Sequence, residues 1–568
     1  MEFLYKIKKD NIFIGILLLI IILGVFLRLN GFSEVGYWGD DEATIPAGLM
    51  WFYPHSYFPG LNYGNPPLGD MIIGAGCMLS GEDFSGVSNI QPFFYPDRYY
   101  LIGEALSNSN TECHLPMYLF GILFFILIIY FALTFFNKYS ALFLISFFAF
   151  SPEILKYSGW IKTDIILWTF TLISFIFFLK GYQQLKHSVI EAIHFLISFF
   201  TIGLAFASKF SIAFMAIIYF SLIIKKYSNE TLQILSIISK KLSLTFLRDK
   251  EVDKKNCITF IKLLLVSGII YIFSILMFFK LNPKNFLDTY TIYQKFNQNL
   301  ASNSLKFNNL IEFFKNLLLK LNLLDTLFFL FAFYLYYKLI KKENKGPLDN
   351  FILFLAPIGF ILSIIFPVFV VPYRSLPYLF GFIFLMSLSF SKISPLWKIK
   401  NRKLVFALFI LIYISFSFYN AYSVSPYFEN ANPIICSLKP ESCNFLNIGY
   451  STKQTADYLK SVLKDDETFI GTEGTIFFYL RHSQGILDWN FHQAFQQQIG
   501  REPTLSEKIK YFKPENQTVR YLLFAPIPRE RFGEEATQFK ETYEPNHIVK
   551  INKEDAMWIY DLQNLHPK

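Results

Sequence analysis

The sequence predicts a multi-pass α-helical membrane protein with a C-terminal extracytoplasmic α/β domain. Apolar runs of membrane-spanning length recur along the first 421 residues, Lys and Arg gather in alternate gaps between them, and only the last part of the chain mixes polar and apolar residues as a water-soluble domain does. Composition agrees: of 568 residues, 53% are hydrophobic and 17% charged, 68 are Phe, and the mean hydropathy is +0.37. Soluble domains carry about 25% charged residues, so this balance excludes intrinsic disorder, a secreted disulfide scaffold and an ordinary cytosolic enzyme. The net charge of +9 is spread over short stretches between apolar runs, a topological pattern that gives no reason to expect a nucleic-acid partner.

A helix needs about 20 apolar residues to cross a bilayer. This places spans at 11–29, 116–136, 140–157, 163–181, 189–207, 210–224, 260–280, 324–340, 350–371, 376–391 and 403–421, about eleven in all. Lys6, Lys8 and Lys9 precede the first span. Lys138, Lys180 with Lys186, Lys225 through Lys255, Lys341 through Lys345 and Lys392 through Lys403 fill the alternate gaps and mark them as cytoplasmic. The first run lacks a small-residue cleavage site and continues into Arg28-Leu29-Asn30, so it reads as a retained anchor with its N-terminus inside. An odd number of spans then puts 30–115, 282–323 and the tail beyond 422 on the outer face. The count requires the run 188–225 to be two helices broken near Ala207-Ser208-Lys209.

The chain divides into a transmembrane domain over 1–421 and an outer domain over 422–568. Strand-like runs at Thr468–Gly471, Val519–Ala525 and Met557–Tyr560 alternate there with helix-like ones at Thr452–Leu463 and Gly533–Thr542. No internal repeat is evident. Four cysteines, Cys77, Cys113, Cys436 and Cys443, fall on the outer side and Cys257 on the inner one. Cys77–Cys113 and Cys436–Cys443 are candidate disulfides of an oxidising compartment, with free thiols the alternative. No Cys or His set has zinc-ligand spacing. Abundant Phe, Ile, Lys and Asn suggest an AT-rich prokaryotic genome, and hence a plasma (inner) membrane.

Four places hold chemistry-bearing residues. Gly36-Tyr37-Trp38-Gly39-Asp40-Asp41-Glu42-Ala43 sets three carboxylates beside an apolar run at the outer surface, where partial burial raises a carboxyl pKa and makes a base. The other reading is that Asp40 or Asp41 caps an interfacial helix reaching about Tyr53, with Trp38, Trp51 and Tyr53 as headgroup anchors. Asp164 stands at the outer start of the fourth span, either as a functional acid or as a first-turn cap favoured by the helix dipole. Lys209 and Arg374 are cations at outer helix ends, either site residues or snorkelling anchors.

In order and spacing these stretches resemble the GT-C glycosyltransferases, specifically the protein O-mannosyltransferase and aminoarabinose (lipid A) transferase group. Asp41-Glu42 looks like that group's Asp-Glu pair in the first outer loop, and Asn65-Pro66-Pro67-Leu68-Gly69 like its [His/Lys]-Pro-Pro-Leu element. Thr163-Asp164-Ile165-Ile166-Leu167 is similar to its second acidic motif, Gly203 through Lys209 to its Gly-Leu-Ala-x-x-Thr-Lys stretch, and the Arg374 segment to its Arg-Tyr-x-x-Pro region. Asn65 replaces a basic residue and Ser208 a Thr, and the first change removes an expected lipid-phosphate contact. The resemblance covers about 30–390.

The resemblance implies an inverting transfer of a sugar from a polyprenyl-phosphate donor to a protein, lipid or glycan acceptor on the outer face. Asp41 would be the base. Glu42 and Asp164 would orient acceptor and sugar, or hold a divalent cation. Lys209 and Arg374, with Arg98, would neutralise the departing phosphate, membrane lipid would surround the whole, and the loop 282–323 would gate the lipid groove. The competing readings are a transporter or lipid flippase and a carrier-dependent glycan polymerase. Transporters usually place charges at the midplane of repeated halves, whereas here they cluster at outer helix ends. An oligosaccharyltransferase would carry a Trp-Trp-Asp-type motif, which Asp488-Trp489-Asn490 only echoes.

Overall fold

The structure is a computed structural model. Apart from isolated positions, it describes residues 11–31, 35–37, 41–53, 66–89, 100–241, 254–279, 284–291, 334–341, 346–365, 380–388, 402–425, 451–471, 518–524, 533–551 and 554–568. The predicted spans 324–340, 350–371 and 376–391, the outer loop 282–323 and the pair Cys436–Cys443 lie partly or wholly outside these residues.

The bundle begins with α1 (Asn11–Leu29), then two short helices, α2 (Asp41–Leu49) and α3 (Pro67–Met78), and α4 (Tyr100–Asn108). It continues through α5 (Asn110–Phe135), α6 (Lys138–Phe150), α7 (Pro152–Gly159), α8 (Asp164–Gln183), α9 (Val189–Ser208), α10 (Phe214–Lys226), α11 (Ser228–Lys241) and α12 (Lys254–Leu276), and later α13 (Pro347–Ile365) and α14 (Arg402–Tyr422). Among the described residues, five helices are long and apolar enough to cross a membrane, and α6 with α7 meets the same length and composition only as a pair. The span expected at 140–157 is thus a pair bent by 53°. Pro152 explains the bend: it occupies the first turn of α7, and Ser151 before it is extended (ψ 114°), because a residue preceding proline is driven out of the helical region.

Local sequence sets the other boundaries. Asn137 caps α6 by accepting from the N–H groups of Tyr139 and Ser140, both at 3.1 Å. Ser188 caps α9 by accepting from Glu191 N at 3.1 Å. The run 188–225 is two helices, as required: α9 ends at Ser208, Lys209 is extended (φ −164°), and a 3-10 turn at Phe210–Ile212 leads towards α10. α8 is the most enclosed span and α12 the most peripheral, with 72% and 22% of their apolar windows buried. Ile258, Leu265, Ile269 and Ile272 on α12, and Leu119 and Ile126 on α5, are exposed, an apolar surface that lipid covers.

The tail is an α/β layer structure. Strands β1 (Glu467–Ile470), β2 (Thr518–Phe524), β4 (His547–Ile551) and β5 (Glu554–Asp561) form one sheet in the order β1-β2-β5-β4, with β1 and β2 parallel and the other pairs antiparallel. The short β3 (Tyr543–Glu544) and β6 (His566–Pro567) pair separately. Side chains alternate between the faces. Phe469, Tyr521, Leu523 and Ile559 join Ala456 and Leu459 of α15 (Thr452–Val462) in a core continuous with the helical bundle. Ile470, Leu522, Phe524 and Tyr560 pack instead with Phe539 of α16 (Gly533–Thr542).

The tail and the first loop share one end of the bundle. Asn30 Nδ2, just past α1, donates to Ser425 Oγ beyond α14 at 2.9 Å, and Thr452 Oγ1 donates to the Tyr37 carbonyl at 2.8 Å.

Candidate active site

The acidic motif starts α2: Asp41 and Glu42 are its first two residues, so their backbone is placed while their side chains lie outside the described structure. Asp40, Asn65, Arg98 and Arg374 also lie outside the described residues.

The helix α2 is fixed by contact with α3. A Cβ on Gly48 would overlap the Asp70 carbonyl and stand 2.7 Å from Gly74 N, so the two backbones touch where both residues are glycine. Pro67 occupies the first turn of α3, where its missing N–H costs nothing. Gly69 follows, and any side chain there would strike Thr163, with the Ser208 carbonyl 3.4 Å away. The Pro-Pro-Leu-Gly element therefore seats α3 on the start of α8 and the end of α9. The disulfide Cys77–Cys113 ties the far end of α3 to α5.

That seat carries the best-defined charged pair in this region. Lys209 Nζ lies 2.7 Å from Asp164 Oδ1 and 2.8 Å from Oδ2, with the Asp164 side chain fully buried and that of Lys209 12% exposed. Asp164 is in the first turn of α8 and Lys209 follows the last turn of α9, so each charge also complements its helix dipole. The preceding Thr163 makes no side-chain cap. Asp164 thus keeps its favourable place in the first turn and also forms an ion pair. Lys209, expected with Arg374 and Arg98 at the departing phosphate, is engaged by Asp164.

Sequence reasoning passed over several neighbours. Asp70 is buried at 3% exposure in the first turn of α3, beside Gly69. On α7, Lys156 lies 3.3 Å from Glu153 and 5.1 Å from the Trp160 ring centre, and Lys162 lies 3.6 Å above the same ring. Both lysines are buried. Cation–π attraction is strongest over Trp and grows with desolvation, and the spacing Lys-x-x-x-Trp-x-Lys was the available signal. Among the described residues, no group of three His, Cys, Asp or Glu side chains is placed to hold a metal ion.

Residues 100–245, which include Asp164, Lys209 and this cluster, match the family model for dolichyl-phosphate-mannose-protein mannosyltransferase. The resemblance to that group holds. The mannosyltransferase-like segment runs from α4 to just past α11. No curated protein matches the chain. Among solved structures it is similar to ArnT from Cupriavidus metallidurans, at 14% identity over 96% of each chain with a TM-score of 0.46 for the apo form. For the form bound to undecaprenyl phosphate, identity is 14% over 96% of this chain and 97% of that one, with a TM-score of 0.48. The oligosaccharyltransferase AglB from Archaeoglobus fulgidus, in complex with an inhibitory peptide and a dolichol-phosphate, is 12% identical over 91% of this chain and 69% of that one, with a TM-score of 0.42.

Proposed function

We propose that this membrane protein is an inverting glycosyltransferase that moves a sugar from a polyprenyl-phosphate donor to a hydroxyl or amine acceptor on the outer face of the plasma membrane. One observation carries the reading. The helix that Asp41 and Glu42 begin touches the Pro-Pro-Leu-Gly helix where Gly48 meets Gly74, and that helix in turn rests at Gly69 on Thr163 and Ser208, the neighbours of the Asp164–Lys209 pair, which lies within the mannosyltransferase-like segment.

A polyprenyl phosphate is a good leaving group without protonation, so the reaction needs a base for the acceptor and cations for the phosphate. The acceptor oxygen or nitrogen attacks C1 of the sugar and gives its proton to an Asp41 carboxylate oxygen. The C1–O bond breaks on the opposite face, and its electron pair leaves with the phosphate, which inverts the anomeric centre. Glu42 and Asp164 orient acceptor and sugar. Lys209, held in place by Asp164, and Arg374, with Arg98, neutralise the phosphate charge. The transmembrane part over 1–421 does this chemistry, and the outer domain over 422–568 covers the site.

The test is reconstitution of the purified chain in liposomes with a polyprenyl-phosphate sugar and candidate acceptors. Glycosylated acceptor and free polyprenyl phosphate should form in equal amounts. Movement of intact donor across the bilayer without cleavage would make the protein a transporter instead.

A further inference from the structure

The segment leading into the acidic helix is strung between the bundle and the tail. Val35 and Tyr37 are buried, at 5% and 0% exposure. Asn110 Nδ2 of α5 donates to the Val35 carbonyl at 3.0 Å, and the Tyr37 hydroxyl donates to the Leu106 carbonyl of α4 at 2.7 Å. His114 of α5, held through Nδ1 at 2.7 Å from the Asn110 carbonyl, stacks on the Tyr37 ring with centroids 5.5 Å apart. The tail supplies a further tie. Thr452 is fully buried in the first turn of α15. Its hydroxyl crosses 415 residues of sequence to the Tyr37 carbonyl.

We propose that Thr452 is a positioning residue for the transfer step: the tail latches Tyr37 and thereby sets where Asp41 stands. The inference rests on the reading of Asp41 as the base. Tyr37 and Asp41 are four residues apart, a reach of at most about 14 Å, so the position of Tyr37 bounds where α2 can start. α2 itself is held towards its other end by the Gly48–Gly74 contact, and the latch acts on the chain entering its N-terminal end. A latch of this kind explains why the first turn of α15, with Ser451, Thr452 and Thr455 all buried, lies against the bundle. It also assigns the tail a part in turnover, beyond covering the site.

The experiment uses the full chain in detergent, with Thr452→Val, which keeps the shape and removes the donor, and Thr452→Ser, which keeps the donor. Hydrogen exchange over residues 35–49 is measured without donor, and kcat and donor KM are measured with it. The expected result is faster exchange over 35–49 in Thr452→Val, a fall in kcat of about 10- to 100-fold, the scale of a sub-ångström to ångström misplacement, and a nearly unchanged KM. Thr452→Ser should restore all three. If the second methyl of Val prevents folding, Thr452→Ala removes the hydroxyl without added volume and is read the same way. Unchanged exchange, or faster exchange with full kcat, overturns the proposal. A loss seen only in KM also overturns it. Because exchange is read without donor, an active Asp41→Asn variant would remove the base assignment while leaving the latch itself measurable.

Discussion

Lys209 and Asp164 are joined by two contacts of 2.7 and 2.8 Å although 45 residues separate them in sequence. The reason is helix arithmetic. α8 and α9 are antiparallel helices of 20 residues each, so the end of α9 returns to the level at which α8 began.

Breaking this pair from one side leaves a buried charge uncompensated, which typically costs about 3–5 kcal/mol. Asp164→Asn and Lys209→Met should each lower the thermal midpoint in detergent, and the double variant should recover most of the loss. Turnover should not recover with stability. Lys209→Ala is expected to lower it about 10²–10³-fold, the usual effect of removing one preorganised electrostatic group. A double variant that regains both stability and turnover would show that the pair only ties helices together.

The disulfide Cys77–Cys113 closes a loop with a sequence separation of 36. The chain-entropy model gives such a loop about 4 kcal/mol of stabilisation. Cys77→Ser with Cys113→Ser should lower the thermal midpoint, and reductant should lower that of the native chain to the same level. It should also loosen α3, and with it α2.

Sidedness requires exposed probes. Cys257 was the natural inner marker, but it is buried and would resist labelling from either side. Leu185, 84% exposed between α8 and α9, and Ser85, exposed after α3, are better positions. In intact cells an impermeant maleimide should label Ser85→Cys at once and Leu185→Cys only after permeabilisation. The reverse order would invert the topology.

In the tail, Arg520 bonds Glu467 at 2.7 Å and Asp561 at 3.1 Å, linking β1, β2 and β5. Burial opposes ionisation of Asp561, but bonds from Arg520, Asn564 and the Gln563 N–H outweigh it and hold its carboxyl below the usual value. A carboxyl with a depressed folded-state pKa contributes stability above its unfolded value, about 3.9 for Asp, and loses it as pH falls through the folded value. Amide exchange in β2 and β5, corrected for its intrinsic pH dependence, should therefore be steady from pH 7 to about 5 and accelerate below about 4. Arg520→Leu should accelerate it throughout.

Hydropathy and turn chemistry made much of this architecture legible. The strands near 468, 519 and 557 and the helices Thr452–Val462 and Gly533–Thr542 follow the expected runs to within a few residues. The strand at His547–Ile551 escaped because it is five residues long with a charged Lys550 in its alternation, and among the described residues it pairs with β5 alone. The bend between α6 and α7 escaped because a hydropathy window registers composition and not direction; Ser151-Pro152 was the signal. Arg28 read as the polar flank of an anchor, yet it is buried, with its guanidinium donating to the Gly24, Phe148 and Ala149 carbonyls and lying 4.4 Å from the Phe125 ring centre. For the site, the motifs marked which segments meet. They did not show that Asp164 occupies Lys209, because pairing across a helical hairpin depends on rotation about both axes.

The central claim is that Asp41 takes the acceptor proton, and purified Asp41→Asn protein tests it most directly. Asn keeps the shape of Asp and caps a helix about as well, so folding and donor binding should persist. Transfer, measured as glycosylated acceptor per mole of protein at saturating donor, should fall by about 10²–10⁴-fold, the usual contribution of a general base, while Asp40→Asn should be mild. Near-normal transfer by Asp41→Asn with intact donor binding would contradict the account.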